Sequence, residues 1–552
     1  MAVLACIFFV LAGLLLLPYP GIQNDEALFA SAIYNPIGAI YSAEVHRSKL
    51  PLMLMSYLGT LKAWLYIPWF RLWPPSPASV RIPMLLAGAV TICLFVELLR
   101  RMLDTRTAVM GSVLLATDSL FLLTTVLDWG PVALQHLLLV AALVLLVKFH
   151  RSGSPAALGS AFFLLGLGLW DKALFIWSLA GLGFATLLVL PKEFLRALTI
   201  TRIAVATLYF CVGAFPLIYY NAQNGMETFH ANANYSSEDF GHKLRLLAMS
   251  LNGSVLFDWL TPENLGGGRA LAPQNALERA SEWLNASFRN PRSSLNVPAL
   301  FLAALLLPFL SIAKAGRRYA RAMLFSLIFC LVTWLQMALT QGAGASAHHT
   351  VLLWPFPQLF LAAALAGASE LMPRGRRLWL PATLLLLAGA NVLVTNRYLA
   401  LLVRNGCGLN WTDAIYPLNE YARDTPSSFV YAIDWGILDS LRLLSRGRLP
   451  LRVGSDPLSK ADLNDSDRRA VGEWLADSLS LFIGHTKGNE FFTGVAERLE
   501  LMAHNAGYER DLLAVISDRN GRPIFEVFRY RRAVIRAERS NRSGSRHTPL
   551  VQ

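Results

Sequence analysis

Two adjacent carboxylates, Asp25 and Glu26, follow the first apolar segment of the chain. Carboxylates are costly to place against lipid, and beside a membrane they persist where they face water, a cavity or a cation. A carboxylate in such a place can act as a general base that takes a proton from an attacking hydroxyl. The alternative is structural, because Asn24 or Asp25 can cap a helix whose N-terminal dipole favours Glu26.

Two further ionisable residues stand where later apolar segments end. Asp128 separates a Thr-Thr-Val-Leu run from Trp-Gly-Pro, and Lys172 lies in the tight turn Trp-Asp-Lys-Ala. Asp128 can instead cap the helix that opens at Pro131. Lys172 can pair with Asp171 or extend to the lipid headgroups. Both a structural and a functional interpretation are therefore open for each residue.

Lys49 and the pair His348–His349 complete the set of candidates. Lys49 lies in Arg-Ser-Lys-Leu-Pro-Leu, where it can also be an ordinary interfacial anchor. The two histidines follow a small-residue turn, and a zinc site would need more ligands. We therefore predict that they contact phosphate or sugar. The sequence requires no cofactor and indicates no metal site, although Asp25, Glu26 and Asp128 offer oxygen ligands to a divalent cation.

The composition predicts the kind of molecule that carries these residues. Charged residues make up 15% of the chain and hydrophobic residues 55%, whereas soluble domains carry about 25% charged residues. Together with a mean hydropathy of +0.44, this predicts an α-helical polytopic membrane protein. About eleven apolar stretches approach the length of a span, at roughly 2–18, 81–99, 107–124, 131–148, 155–170, 173–190, 203–220, 297–313, 320–339, 349–370 and 378–395.

The basic residues of the short loops predict the orientation, because such loops are enriched in Lys and Arg on the cytoplasmic side. One alternate set of loops is basic, with Arg100, Arg101, Arg106, Lys148, Arg151, Lys192, Arg196, Arg202, Lys314, Arg317, Arg318, Arg321, Arg374, Arg376 and Arg377. The opposite short turns carry one basic residue, Lys172, which favours a role for it beyond anchoring. Asp25, Glu26, Asp128 and the chain after residue 396 are then on the outer side.

The segment 51–72 is predicted to be an interfacial helix of the first outer loop, because counting it as a span would invert every later loop. Residues 397–530 read as a mixed α/β domain, with strands near 428–434 and 479–484 and a hairpin around Asp518-Arg-Asn-Gly. The basic stretch 531–552 is predicted to be a disordered tail.

Four places of the chain, in this order, resemble the GT-C superfamily of integral-membrane glycosyltransferases. They are the Asp25–Glu26 pair, Lys49 before Pro51-Leu, Asp128 at the end of the third span, and Lys172 in the turn after Gly-Leu-Gly-Leu-Trp-Asp. The likeness is to the bacterial aminoarabinose transferases and protein O-mannosyltransferases, and it covers residues 1–396. The family's Lys-Pro-Pro is Lys-Leu-Pro here, which leaves the donor and the acceptor open.

The resemblance implies transfer of a sugar from a polyprenyl-phosphate carrier to a lipid, glycan or protein on the outer face of a bacterial inner membrane. It implies an inverting displacement in which Asp25 is the base and Glu26 positions it. Lys49 and Lys172 would bind the phosphate, helped by His348 and His349. Asp128 would orient a lysine or bind sugar hydroxyls, and it is counted with these four residues as part of the donor site.

Three other functions are compatible with many spans and ionisable residues. One is a transporter or flippase of lipid-linked saccharides, which is disfavoured because no inverted repeat is detectable and the charges lie at one face. Another is a non-catalytic assembly factor whose outer C-terminal domain binds a partner, although eleven spans exceed what an anchor needs. The third is a polysaccharide polymerase or ligase that uses a diphosphate-linked donor. The residues do not separate monophosphate from diphosphate donors.

Overall fold

The computed structural model describes residues 1–35, 38–45, 48–232, 234–373 and 379–533. Several predictions made from the sequence lie outside these ranges. They concern the loop arginines Arg374, Arg376 and Arg377 and the part of the basic tail that follows residue 533.

Most of the first four hundred residues are helical. The helices are α1 Ala2–Leu16, α2 Asn24–Ser31, α3 Leu61–Leu72, α4 Pro77–Met102, α5 Thr105–Thr117, α6 Ser119–Leu127, α7 Val132–Ser152, α8 Pro155–Asp171, α9 Ile176–Val189, α10 Pro191–Ala197, α11 Ile200–Gly213, α12 Phe215–Gln223, α13 Glu227–Asn232, α14 Phe240–Leu251, α15 Ala276–Phe288, α16 Asn296–Ile312, α17 Arg317–Ala338, α18 Ala347–Thr350, α19 Phe356–Leu371 and α20 Trp379–Asn405.

Every predicted apolar stretch falls on one of these helices or on a bent pair of them. Within the described ranges, five helical segments are long and apolar enough to cross a membrane, or up to eight if each bent pair is one span. They are α4, α7, α17, α20 and the stretch Ala347–Leu371 that contains α18 and α19. The remaining predicted stretches correspond to shorter apolar helices, namely α1, α8 and α16. The predicted helical fold class is therefore confirmed, while the number of spans stays a prediction.

The bends have local causes. The axis turns by 60° between α5 and α6, where the Asp118 carboxylate accepts the backbone N–H of Phe121 at 2.9 Å and starts a new helix. Gln358 donates to the second oxygen of that buried carboxylate at 2.8 Å. A turn of 112° precedes α10, which opens with Pro191 at its first position.

The first loop contains more than the predicted interfacial helix over 51–72. Its helical part is α3, and the residues before it form strands β1 Tyr41–Val45, β2 Ser48–Met55 and β3 Leu58–Gly59, which pair in this order as an antiparallel sheet. The apolar run of β2 lacks the alternation of apolar and polar residues that marks a strand. It is a strand because it pairs with β1 and β3 of the same loop. The prediction was therefore wrong for residues 51–59.

The chain after α20 is the predicted mixed α/β region, which is confirmed. Its helices are α21 Ile415–Asp424, α22 Leu438–Ser445, α23 Asp456–Ser459, α24 Asp465–Ala476 and α25 Val495–Asn505. Its strands are β4 Val430–Ala432, β5 Leu451–Val453, β6 Leu481–His485, β7 Tyr508–Ser517 and β8 Pro523–Arg532. The sheet order is β5-β4-β6-β8-β7, and β7 and β8 form the predicted hairpin. The predicted boundary at residue 396 falls inside α20 and stays a prediction.

The candidate residues and the basic loops lie at opposite ends of the helices. Helix α7 begins beside Asp128 and ends with His150 and Arg151 in its last turn. Helix α8 runs the other way and ends at Asp171, next to Lys172. The arrangement agrees with the separation of charges in the sequence, while the assignment of these ends to sides of a membrane stays a prediction.

Arg81, in the first turns of α4, joins the start of the chain to the bundle. Its side chain is fully buried, and its guanidinium binds both oxygens of Glu26, with Nε–Oε1 at 2.7 Å and Nη2–Oε2 at 2.9 Å. The remaining N–H groups donate to the carbonyls of Leu17, Pro20 and Gly21 at 2.7–2.8 Å. All five donors of the guanidinium are therefore used.

Arg81→Ala should strongly destabilise the protein, because it leaves the Glu26 carboxylate and three carbonyls buried without their donor. We expect a loss of about 3–5 kcal/mol, seen as a lower melting temperature of the purified protein in detergent. Arg100→Ala removes an exposed pair with Glu97 and should leave the melting temperature nearly unchanged, because exposed ion pairs contribute little to stability. Equal melting temperatures for the two variants would contradict this role of Arg81.

Candidate active site

The start of α2 turns Asp25 and Glu26 in different directions. The Gln23 side chain caps the helix, accepting the backbone N–H of Asp25 at 2.7 Å and of Glu26 at 3.1 Å. The Glu26 side chain closes this capping box with a 3.4 Å contact to the Gln23 N–H, and it is held by Arg81. Glu26 is thus part of the packing that fixes α2, whereas the Asp25 side chain makes none of these contacts with Arg81 and Gln23.

Asp25 forms no salt bridge with any described residue. The side-chain contact of its carboxylate is a long one, 3.5 Å from Asn24 Nδ2. Burial raises the pKa of this carboxyl to about 6, with the Asn24 contact and Lys172 lowering it and Asp439 raising it. A carboxylate that is partly desolvated and unpaired is more basic than an ordinary one, which suits proton abstraction near neutral pH.

Asp128 is paired with Lys62, a residue that the sequence did not single out. The Lys62 ammonium lies 2.7 Å from Asp128 Oδ2 and 3.2 Å from its carbonyl oxygen. The other carboxylate oxygen accepts the backbone N–H of Ala133 at 2.9 Å, so Asp128 also caps α7. Both side chains are at most 2% exposed. Asp128 therefore does both things that the sequence allowed: it accepts an N–H of the first turn of α7 and it contacts a lysine.

Lys172 lies in the turn between α8 and α9, buried against the first loop. Residue 172 pairs with Leu58 in an isolated β-bridge, and its ammonium donates to the Gly130 carbonyl at 3.3 Å. Asp25, Asp128 and Asp171 are near enough to act on its charge, yet none forms a salt bridge with it among the described residues. Two of its three N–H donors are therefore available to a ligand.

His348 and His349 adjoin this lysine, and both respond to its charge. Their ring centroids are 4.2 Å apart, and His348 Nδ1 receives a hydrogen bond from Trp129 Nε1 at 3.0 Å. Gly130 permits this approach, because a Cβ there would lie 2.7 Å from the His348 Cβ. The histidines, Lys172 and Asp128 are thus gathered around the short segment 128–130.

Lys49 is not brought into this group. It is exposed on β2, where its backbone is paired with Glu44 of β1. Its side chain has no hydrogen bond or ion pair within the described part of the chain. The basic residue that reaches Asp128 from the first loop is instead Lys62, on α3.

The α/β domain forms one wall of the site. Asp439 of α22, which pairs with Arg442, acts on the charge of Asp25, and Ser440 donates to the Ile22 carbonyl at 3.1 Å. The Gly21 N–H donates to the Trp411 carbonyl at 2.7 Å. Domain and first loop are therefore in direct contact around α2.

Three tryptophans hold distant segments together behind the site. Trp129, Trp259 and Trp411 have ring centroids 5.0–5.5 Å apart in all three pairings. They come from the turn after α6, the loop after α14 and the start of the α/β domain. Edge-to-face and tilted contacts of this kind add to the apolar area that such rings bury.

Sequence reasoning missed Lys62, Arg81 as a binding partner, and Asp439. Lys62 carried one usable signal, since it is the single charged residue between Lys49 and Arg71 in an otherwise apolar stretch. Asp439 carried none, because its contact depends on how the domain docks. Within the described residues, no group of three or more His, Cys, Asp or Glu is arranged to hold a metal ion.

Comparisons with known proteins agree with this picture. The family model "Dolichyl-phosphate-mannose-protein mannosyltransferase" matches residues 60–220. No curated protein sequence matches the chain. The crystal structure of ArnT from Cupriavidus metallidurans bound to undecaprenyl phosphate is similar, with a TM-score of 0.58 and 13% identity over 95% of this chain and 96% of that one.

A second solved structure is that of the archaeal oligosaccharyltransferase AglB from Archaeoglobus fulgidus, in complex with an inhibitory peptide and a dolichol-phosphate. It has a TM-score of 0.50 and 13% identity over 96% of this chain and 74% of that one. At these identities the similarity concerns the fold. The family match and the ArnT-like fold together confirm the resemblance of this chain to the GT-C glycosyltransferases.

Proposed function

We propose that the protein is a membrane glycosyltransferase that moves a sugar from a polyprenyl-phosphate carrier to an acceptor on the outer face of the membrane. The observation that carries the proposal is the Asp25 carboxylate, which forms no ion pair with the described residues and lies near enough to Lys172 to be influenced by its charge. A base beside a cation that is free to bind phosphate is what a displacement at a sugar phosphate requires.

Asp25 is the proposed base. In an inverting displacement the acceptor hydroxyl attacks the anomeric carbon from the side opposite the phosphate, and Asp25 takes the hydroxyl proton as the new bond forms. The carbon–oxygen bond to the carrier breaks, and its electron pair leaves with the phosphate. Glu26 keeps the geometry through its bond to Arg81.

Lys172 is the proposed partner of the departing phosphate. Its unused N–H donors can neutralise the charge that develops on the leaving oxygen. Lys62 and Asp128 neutralise each other, so Lys172 is the cation of this group that is left without a salt bridge and can bind an anion. His348 and His349 border the same place and can donate further hydrogen bonds to the phosphate or to the sugar.

An apolar groove that reaches the segment following the histidines suits the carrier tail. It lies between α14, α16, α17 and α19, and its lining includes Leu251, Leu327, Trp334, Leu353 and Phe360. Leu353 is four residues from His349, so a lipid in the groove would bring its phosphate toward the histidine pair. The solved structures with undecaprenyl phosphate and dolichol-phosphate support a carrier of this class.

Asp25→Asn should abolish transfer and leave the melting temperature unchanged, because the amide keeps the side-chain volume and breaks no ion pair. We expect a rate loss of roughly 10²- to 10⁴-fold, measured in membranes supplied with lipid-linked sugar. Asp424→Asn, at an exposed position, is the matched control. Wild-type turnover by the Asp25 variant would refute the assignment, and a carrier relocated with its sugar still attached would indicate a flippase.

Transfer should decline as the pH falls through about 6, because burial raises the pKa of the Asp25 carboxyl to that value and a protonated base is inactive. Asp439→Asn removes a neighbouring negative charge and leaves Arg442 unbalanced, so it should move this decline to lower pH. A pH–rate profile of both proteins measures the shift. A decline that stays in place would contradict the coupling of the α/β domain to the base.

Lys172→Ala should weaken the use of the donor more than that of the acceptor, since it removes a charge-assisted contact to phosphate. We expect the apparent KM for the donor to rise about tenfold or more, while the KM for the acceptor changes little. Lys148→Ala, at the basic end of α7, serves as the control for loss of a lysine. An unchanged donor KM would favour a purely structural role for Lys172.

A further inference from the structure

The α/β domain contains a second polar cluster that the transfer reaction does not use. Strand β4 pairs in parallel with β5 on one side and with β6 on the other. The chain connections therefore diverge between β4 and β6, and in parallel sheets ligands bind in the crevice beyond the carboxyl ends of such strands. Asp434 and His485 stand at this place, just after β4 and at the end of β6.

Asp434 is fixed as a hydrogen-bond acceptor. Its carboxylate accepts the backbone N–H groups of Trp435, Phe492 and Phe491 at 2.8–3.1 Å and lies 2.7 Å from His485 Nδ1. Burial raises the pKa of this carboxyl, but these hydrogen bonds together with the imidazole lower it below its usual value. Asp434 is therefore ionised and keeps the proton of His485 on Nδ1.

The other ring nitrogen of His485 is left for a ligand. Its Nε2 has no hydrogen-bond partner among the described residues, and the ring lines a crevice shared with Asn410 and Thr412. The crevice holds about one water-sized group. Trp435 and Phe491 also line it, with ring centroids 5.0 Å apart, and Phe491 is 36% exposed.

We propose that this crevice is a saccharide-binding site, separate from the transfer site. One sugar hydroxyl would enter the crevice and bind His485 Nε2, and the apolar face of the sugar ring would lie on Trp435 and Phe491. A narrow polar pocket with partly exposed aromatic rings matches a ligand that carries both hydroxyl groups and C–H faces. Saccharide binding there does not require transfer, and only the role of the saccharide as part of an acceptor rests on the proposed function.

The crevice is lined in part by the segment that leads into α2. Ile22 contributes to its lining and stands three residues before Asp25 in the sequence. A saccharide held here would lie against the loop that carries the proposed base. Part of a glycan or glycolipid acceptor is a ligand of the right chemistry, and the crevice would then anchor it at a second point.

The test uses the full chain in detergent, with methyl glycosides of glucose, galactose, mannose and N-acetylglucosamine as probes. Binding is measured by saturation-transfer NMR on the glycosides. His485→Asn keeps an amide donor near Asp434 but removes the Nε2 acceptor, and it should weaken binding roughly tenfold. Trp435→Ala should weaken it as well, which provides a second readout if the histidine variant folds poorly.

Two further variants make the outcome decisive. His504→Asn changes an exposed histidine of the same domain and should bind like the wild type. Asp25→Asn should also bind like the wild type, because the crevice is separate from the transfer site. The proposal is overturned if no glycoside binds the wild-type chain, if His485→Asn and Trp435→Ala bind unchanged, or if Asp25→Asn alone abolishes binding.

Discussion

The buried pair of Arg81 and Glu26 is the constraint on which the rest of the site depends. A guanidinium without solvent contact is tolerated because a carboxylate and three carbonyls take all its donors. The same contacts tie the end of α1 and the start of α2 to the first turns of α4. Since Asp25 is adjacent to Glu26, this pair fixes its position together with the Gln23 cap on its backbone N–H.

The positive and negative side chains around Asp25 nearly balance one another. Lys62 neutralises Asp128, Arg442 neutralises Asp439, and Lys172 faces several carboxylates at longer range. A bound sugar phosphate would add negative charge beside the one cation in this group that has no close carboxylate. In the proposed function Lys172 is therefore the cation that would contact the phosphate.

The sequence predicted the long apolar helices that a bilayer requires. It missed the features that depend on contacts between distant parts of the chain. A span needs a long apolar run, so each of the predicted stretches was found as a helix or bent pair. Strand β2 was not predicted because its apolar residues follow no period of two. Lys62 was not predicted to belong to the site because its contact with Asp128 joins residues that are 66 positions apart in the sequence. Asp118 was not predicted to bend the chain because it lies inside an apolar run, where its carboxylate starts a new helix.

The contact between Gly21 and Trp411 has a consequence for the biogenesis of the protein. Gly21 follows α1, whereas Trp411 follows α20, the last of the long apolar helices that the structure describes. During synthesis the segment around Gly21 is therefore made long before the partner that holds it in place. The surroundings of Asp25 would be complete only once the segment around Trp411 has been made and has docked against the loop.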